Sequence, residues 1–158
     1  MDNHHEILIT TLEKLLHGGI AHASFADAVK DLPKAARGQV VEKLPYSIWQ
    51  LVCHIKIAQW DMLEFCKNPN HQSPEWPKEY WPKEAAPKND QEWGDTIKQI
   101  DADLEAFIVF LRKADVYEKI TSGDGQTVLL EALQTADHNA YHIAEIVVLR
   151  RLQGNWKS

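Results

Sequence analysis

The sequence has few cysteines and no excess of basic residues. Its two cysteines, Cys53 and Cys66, form no C-x-x-C motif, so the 158-residue chain is predicted to contain neither a disulfide framework nor a redox pair. The formal charge is −6, from 23 acidic and 17 basic residues. Because proteins that bind nucleic acid usually present a basic face, we expect no nucleic-acid partner.

Long hydrophobic runs are also missing. The longest apolar run covers residues 106–111, whereas a membrane-spanning helix needs roughly 18 apolar residues or more, so we expect no membrane partner. Residues 1–6 carry neither the cationic segment nor the apolar segment of a secretory signal. We therefore expect a cytoplasmic protein.

Four segments have apolar residues at helical spacing, and none has the sustained alternation that is typical of a half-buried strand. The segments begin near Ile7, Ser47, Asp90 and Val128 and end near Pro33, Pro69, Leu111 and Gln153. A chain of this length forms about one domain. We predict an all-α fold, an up-down four-helix bundle that forms a single domain over residues 1–158.

Capping residues support these boundaries. Ser47 and Gln50 have the spacing of a capping box at the start of the second helix. Asp90 and Thr127 are predicted to be the N-caps of the third and fourth helices. A glycine pair at 18–19 lies inside the first segment, where each glycine costs up to about 1 kcal/mol relative to alanine. We expect a kink in that helix or a close contact with another helix.

A long connection separates the second and third helices. Between Asn68 and Asp90 the sequence has prolines at 69, 74, 77, 82 and 87 and the aromatic residues Trp76, Tyr80 and Trp81. The prolines forbid a regular helix, and the aromatic surface is too large for a disordered linker. We predict an ordered loop over the bundle, in which Trp76 and Trp81 form a lid or a wall of a substrate site.

Three of the eight histidines are candidates for one metal site. His138 and His142 are four residues apart on the predicted fourth helix, so both imidazoles lie on one face and reach one ion. His54 lies on the inward face of the predicted second helix, and metals are often held between the facing helices of a bundle. The alternative is that all three are hydrogen-bonded core residues. We predict no role in the site for His4, His5, His17 and His71, and His22 is a candidate for its mouth.

Two carboxylates share these helix faces. Glu145 follows His142 by three residues, and Asp61 follows His54 by seven. Each is a candidate catalytic residue that acts as an acid or a base. The alternatives are that it orients an imidazole or that it pairs with a lysine or arginine.

Several short motifs occur together in a fixed order. They are Trp49-x₄-His54-Ile55, then Asp137-His138-x₃-His142, then Val148-Leu149-Arg150-Arg151-Leu152-x-Gly154-x-Trp156. In order and spacing they resemble the DinB-like (YfiT-like, damage-inducible) superfamily of four-helix bundles. The resemblance spans nearly the whole chain.

The resemblance implies a homodimer with a divalent metal ion, nickel or zinc, held by His54, His138 and His142. It also implies a metal-dependent enzyme, either a hydrolase or a transferase that uses a low-molecular-weight thiol, acting on a small molecule. One departure weakens the analogy with the transferases, since this chain has Ala144-Glu145 where many relatives have Gly-Gln. The alternative is a non-catalytic, stress-related dimer that binds a metal or another ligand.

Overall fold

The computed structural model describes residues 3–156, and within them the fold is all-α, as predicted. The helices are α1 (Asn3–His17), α2 (Phe25–Val29), α3 (Lys34–Arg37), α4 (Ile48–Lys67), α5 (Asp90–Leu111) and α6 (Val128–Leu152). These residues form no strand, and one isolated β-bridge joins Lys119 and Thr127. None of the helices described combines the length and the apolar composition that a membrane span needs.

The N-termini of the three longest helices are capped by side chains. Ser47 and Gln50 form the predicted capping box of α4, and Thr127 caps α6. The N-cap of α5 is Asn89, one residue before the predicted Asp90, because the Asn89 side chain accepts a hydrogen bond from the backbone three residues on, at 2.9 Å. Asp90 is instead the first helical residue, where its negative charge interacts favourably with the helix dipole.

The prediction of one long first helix is wrong beyond His17. Gly18 and Gly19 have φ values of 67° and 79°, in the left-handed region that glycine adopts without steric cost. The pair therefore ends α1 instead of kinking it. Ser24 then starts α2 through its own capping box with Asp27, and α3 follows as a third short piece of helix.

The helix α4 packs against both α5 and α6, and α1 packs against α6. The buried apolar residues form two clusters. One joins α2 and α3 to the N-terminal half of α4 and to Ile143 of α6. The other joins α1 to the C-terminal end of α4, to α5 and to Ala132 of α6. Along α6 the boundary between the clusters falls in the stretch that carries His138 and His142.

Residues 68–89 connect α4 to α5 without a helix. The Ser47 hydroxyl donates to the carbonyl of Ala85 at 2.5 Å, and the Gln50 amide donates to the carbonyl of Pro82 at 3.1 Å. Both donors belong to the start of α4. These hydrogen bonds hold the connection along α4, so that the aromatic residues before Pro82 lie beside the middle of that helix.

Candidate metal centre

Three imidazoles meet between α4 and α6. His54 comes from α4, His138 and His142 come from α6, and one ring nitrogen of each lies within 4.8 Å of the others. The Nε2 atoms of His54 and His138 are 3.0 Å apart. His54 is 2% exposed and His142 is 8% exposed. The structure therefore brings together the three histidines that the sequence predicted as ligands.

The connection after α4 fixes the ring of His54. Its Nδ1 lies 3.1 Å from the carbonyl oxygen of Tyr80, and because a carbonyl only accepts hydrogen bonds, Nδ1 carries the proton of the neutral ring. The indole of Trp81 stacks on the same ring, with centroids 4.0 Å and planes 8° apart. Burial lowers the pKa of His54 to about 4. The ring is therefore neutral near pH 7, and its Nε2 is available as a ligand.

Glu145 fixes the ring of His142 from the next turn of α6. Its Oε2 lies 2.6 Å from His142 Nδ1, and its Oε1 accepts a hydrogen bond from the Tyr46 hydroxyl. Burial and the contact with Glu145 raise the pKa of Tyr46 to about 12, so the phenol keeps its proton. The ring of Tyr46 also stacks on Trp81 at 5.9 Å. Because both oxygens of Glu145 have partners, this carboxylate orients His142.

A chain of buried amides ends at His138. The carbonyl of Ile100 on α5 accepts a hydrogen bond from Gln59 Nε2 at 2.7 Å. Gln59 Oε1 in turn accepts from Asn139 Nδ2 at 2.8 Å, which leaves Asn139 Oδ1 at 3.5 Å from His138 Nδ1. Since a backbone carbonyl only accepts, it sets the direction of both amides. Burial lowers the pKa of His138.

All three rings thus have an acceptor beside Nδ1, which leaves Nε2 of each ring free to bind a metal, and the Nε2 atoms of His54 and His138 face each other. Metal-binding histidines are commonly held in this way by a carboxylate or a carbonyl. Neutral imidazole suits zinc and nickel among other divalent ions, and a set of three leaves a coordination position open for water or substrate. The residues present therefore fit a divalent metal ion.

Asp61 joins α4 to the connection that follows it. Its Oδ1 lies 2.6 Å from His71 Nε2, and its Oδ2 accepts a hydrogen bond from the Tyr80 hydroxyl. The side chain of His71 is only 6% exposed and contacts Asp61 instead of the three imidazoles, so the expectation that His71 has no role in the site stays a prediction. Since the carbonyl of Tyr80 holds His54, Asp61 acts on that imidazole through Tyr80.

Two other candidates lie at the edge of the site or outside it. Trp76 is 67% exposed, and its ring lies 6.3 Å from that of His54. His22 contacts the carbonyl of Ala23 at 2.9 Å and lines a different cavity with Trp156. The structure does not bring His22 to the three imidazoles.

A cavity of about 580 Å³ opens beside His138 and His142. The residues that complete its walls are Met62, Gln134, Asp137, Ala140 and Tyr141. A volume of several hundred Å³ is typical of a small-molecule site. A ligand in this cavity has direct access to the two imidazoles of α6.

Helical periodicity missed the groups that hold the imidazoles by tertiary contacts. These are Tyr46, the Tyr80 carbonyl, the stacked Trp81 and the amide of Gln59. Three of them lie outside the helices that carry the histidines. Two of them had a usable signal in the sequence. Trp81 belongs to the aromatic loop that was predicted to form a wall of the site, and Gln59 is a polar residue on the apolar face of α4, where a buried amide requires a partner.

Comparison with known proteins identifies the family. A family model described as the DinB superfamily matches residues 20–146. The match covers well over half of the chain, so the chain belongs to the DinB superfamily, and the resemblance seen in its motifs is confirmed. No curated protein and no solved structure matched the chain.

Proposed function

We propose that this member of the DinB superfamily is a divalent-metal-dependent enzyme that acts on a small molecule. The observation that supports the proposal is the cluster of three imidazoles between α4 and α6. Two of them, His54 and His142, are almost fully buried. Each of the three has a hydrogen-bond acceptor beside Nδ1. A cavity beside two of them provides access for a ligand, which favours catalysis over a closed, purely structural site.

In this proposal His54, His138 and His142 hold nickel or zinc. Held by these residues, such an ion would act as a Lewis acid and would lower the pKa of a water or thiol that binds there to near neutrality. The reaction class is hydrolysis or transfer to a thiol. The carboxylate of Glu145 beside His142, where many members of the family have glutamine, weakens the analogy with the thiol transferases and favours hydrolysis.

Glu145 and Asp61, the two candidate acid or base residues, receive positioning roles in this proposal. Both oxygens of each carboxylate have partners: His142 and Tyr46 for Glu145, His71 and Tyr80 for Asp61. Glu145 holds the ring of His142 through the hydrogen bond at Nδ1. Asp61 holds the Tyr80 carbonyl against His54, while Trp81 shields one face of that ring from water.

We also propose that the four long helices form an up-down bundle covered by residues 68–89, and that the protein is a homodimer. Exposed apolar side chains occur on α6 at Leu130, Leu133, Val148 and Leu152. Their spacing of three, four and fifteen residues places them on one face of the helix, at either end of the cavity beside His138 and His142. A second copy would cover that face.

Metal content of protein purified without a histidine tag tests the metal centre. We expect close to one nickel or zinc per chain by plasma mass spectrometry, and a loss of nearly all of it in His138→Ala/His142→Ala. The matched control is His17→Ala/His22→Ala, which removes two exposed histidines and should keep the metal. Equal metal content in both double variants would overturn the proposal.

A second measurement separates an enzyme from a binding protein. With the metal replaced by Co²⁺, whose absorbance reports coordination, added imidazole, a neutral ligand, should change the visible spectrum if a position is open. A spectrum that does not respond to imidazole would contradict catalysis and favour the non-catalytic metal-binding alternative.

A further inference from the structure

The described walls of the cavity beside the imidazoles contain no lysine or arginine. They consist of His138, His142, Met62, Gln134, Asp137, Ala140 and Tyr141. By contrast, the cavity between α4 and α5 is lined by Lys56 and Lys88. Basic side chains are therefore available in this chain, but they do not line the cavity at the candidate metal centre.

We infer that the ligand of this cavity is a small organic cation, with an ammonium group near the atom that binds the metal. The inference rests on the proposed metal centre and names the class of molecule that it binds. Asp137 supplies a carboxylate and Tyr141 an aromatic ring, and together these are the groups with which proteins bind organic ammonium ions.

The positions of these groups support the inference. Asp137 and Tyr141 are four residues apart on α6, so they lie on one face of the helix. The ring of Tyr141 packs edge-on against His142, with centroids 5.0 Å apart and an interplanar angle of 87°. Both side chains therefore flank the two imidazoles that face the cavity. Met62, on the α4 side, adds an apolar and polarisable wall.

The charges around the candidate metal centre also favour a cationic ligand. A divalent ion alone attracts anions, but Glu145 contacts His142 at 2.6 Å and Asp137 directly precedes His138. Neutral imidazoles would hold a divalent ion, and these two carboxylates match its charge, so the ion does not outweigh them. Asp137, which lines the cavity, therefore repels a ligand group with a negative charge and attracts a cation.

A series of three thiols of similar length tests the ligand class. The protein is loaded with Co²⁺, and the near-ultraviolet cobalt–sulfur band is titrated with thiocholine, 2-mercaptoethanol and 3-mercaptopropionate, which are cationic, neutral and anionic. We expect thiocholine to bind about tenfold more tightly than 3-mercaptopropionate at low salt, with 2-mercaptoethanol between them, and the difference to shrink as salt is added.

Variants separate the electrostatic effect from differences between the thiols themselves. Asp137→Asn should lower the ratio of the thiocholine and 3-mercaptopropionate affinities about threefold or more, because the intrinsic properties of each thiol cancel in the comparison. Asp95→Asn is the matched control, an exposed helical aspartate on the cavity between α4 and α5, and should leave the ratio unchanged. Tyr141→Phe should keep the preference for the cation, and Tyr141→Leu should reduce it.

The outcomes distinguish this inference from the proposed function. Failure to bind Co²⁺ contradicts the metal centre itself. Binding of Co²⁺ with equal or tighter binding of 3-mercaptopropionate overturns only the cationic ligand. An affinity ratio that Asp137→Asn leaves unchanged overturns the role of Asp137 and the inference with it.

Discussion

The two helices that carry the imidazoles support them in different ways. On α6 the support is local, because Asn139 follows His138 directly and Glu145 follows His142 by one turn. On α4 it is distant, because the Tyr80 carbonyl and the stacked indole reach His54 from a segment more than twenty residues further along the chain. Local contacts form together with the helix, whereas distant contacts require the whole fold.

This difference predicts how substitutions affect each half of the site. A change on α6 removes the partner of one ring without disturbing the backbone. A change on the α4 side acts by releasing a connection that several residues hold in place. Four predictions test the comparison.

The largest expected effect concerns His54 on α4: the free energy of unfolding of the metal-free protein should depend strongly on pH. Burial lowers the pKa of His54 to about 4, whereas an unfolded histidine has a pKa of about 6.5. Between these values the unfolded state binds a proton that the folded state does not. The free energy of unfolding should therefore fall by about 3 kcal/mol as the pH falls from about 6.5 to about 4.

Urea denaturation in the presence of EDTA measures this dependence. The variant His54→Gln should lose much of the slope. The remainder reflects His138, whose pKa burial also lowers, and carboxyl groups with a shifted pKa such as Glu13 and Glu131. The exposed His17→Gln is the control and should keep the slope of the parent protein. An unchanged slope in His54→Gln would contradict the burial of a neutral ring.

On the α6 side, Glu145→Ala should weaken metal binding. Alanine leaves both His142 Nδ1 and the Tyr46 hydroxyl without their acceptor, and loss of such a partner typically costs about 10- to 100-fold in metal affinity. Competition with a coloured chelator measures the affinity. Glu118→Ala, at an exposed position, is the control. If both variants bind the metal equally well, Glu145 does not orient His142.

A smaller effect is expected when the hydrogen-bonded amides that connect α4 to α6 are replaced. Gln59→Leu leaves Asn139 Nδ2 buried without its acceptor, so we expect the free energy of unfolding to fall by about 1–3 kcal/mol. Adding Asn139→Leu removes the orphaned donor, and the double variant should lose less than the two single variants together. Additive losses in urea denaturation would show that the two amides are not coupled.

The smallest effect on metal binding is expected from Asp61→Asn. The amide keeps the shape of Asp61 but weakens its contacts with His71 and Tyr80, while Trp81 and the hydrogen bonds at Pro82 still hold the connection. We expect metal affinity to fall less than about tenfold, below the usual cost of losing a direct partner of a ligand. Hydrogen exchange should increase in residues 68–82 but not in α6; unchanged exchange would contradict the link from Asp61 to His54.

The outcome for the helices shows what a sequence pattern can and cannot predict. The capping signals at Ser47 and Thr127 placed α4 and α6 correctly, since a cap involves only neighbouring residues. The prediction for the first helix was wrong because the helical spacing of apolar residues continues past Gly18 and Gly19. The positive φ values of these two glycines end the helix there. Periodicity reports which face is buried, but it does not report backbone conformation.

The sequence by itself determined the all-α fold, the family and the spacing of His138 and His142, because helical spacing and capping are properties of neighbouring residues. Only the tertiary structure decided that His54 joins them, that each ring has an acceptor beside Nδ1, and that the described walls of the adjoining cavity contain neither lysine nor arginine. The reason is that a histidine's tautomer depends on the acceptor beside its other nitrogen. For His54 that acceptor is a carbonyl brought from another part of the chain.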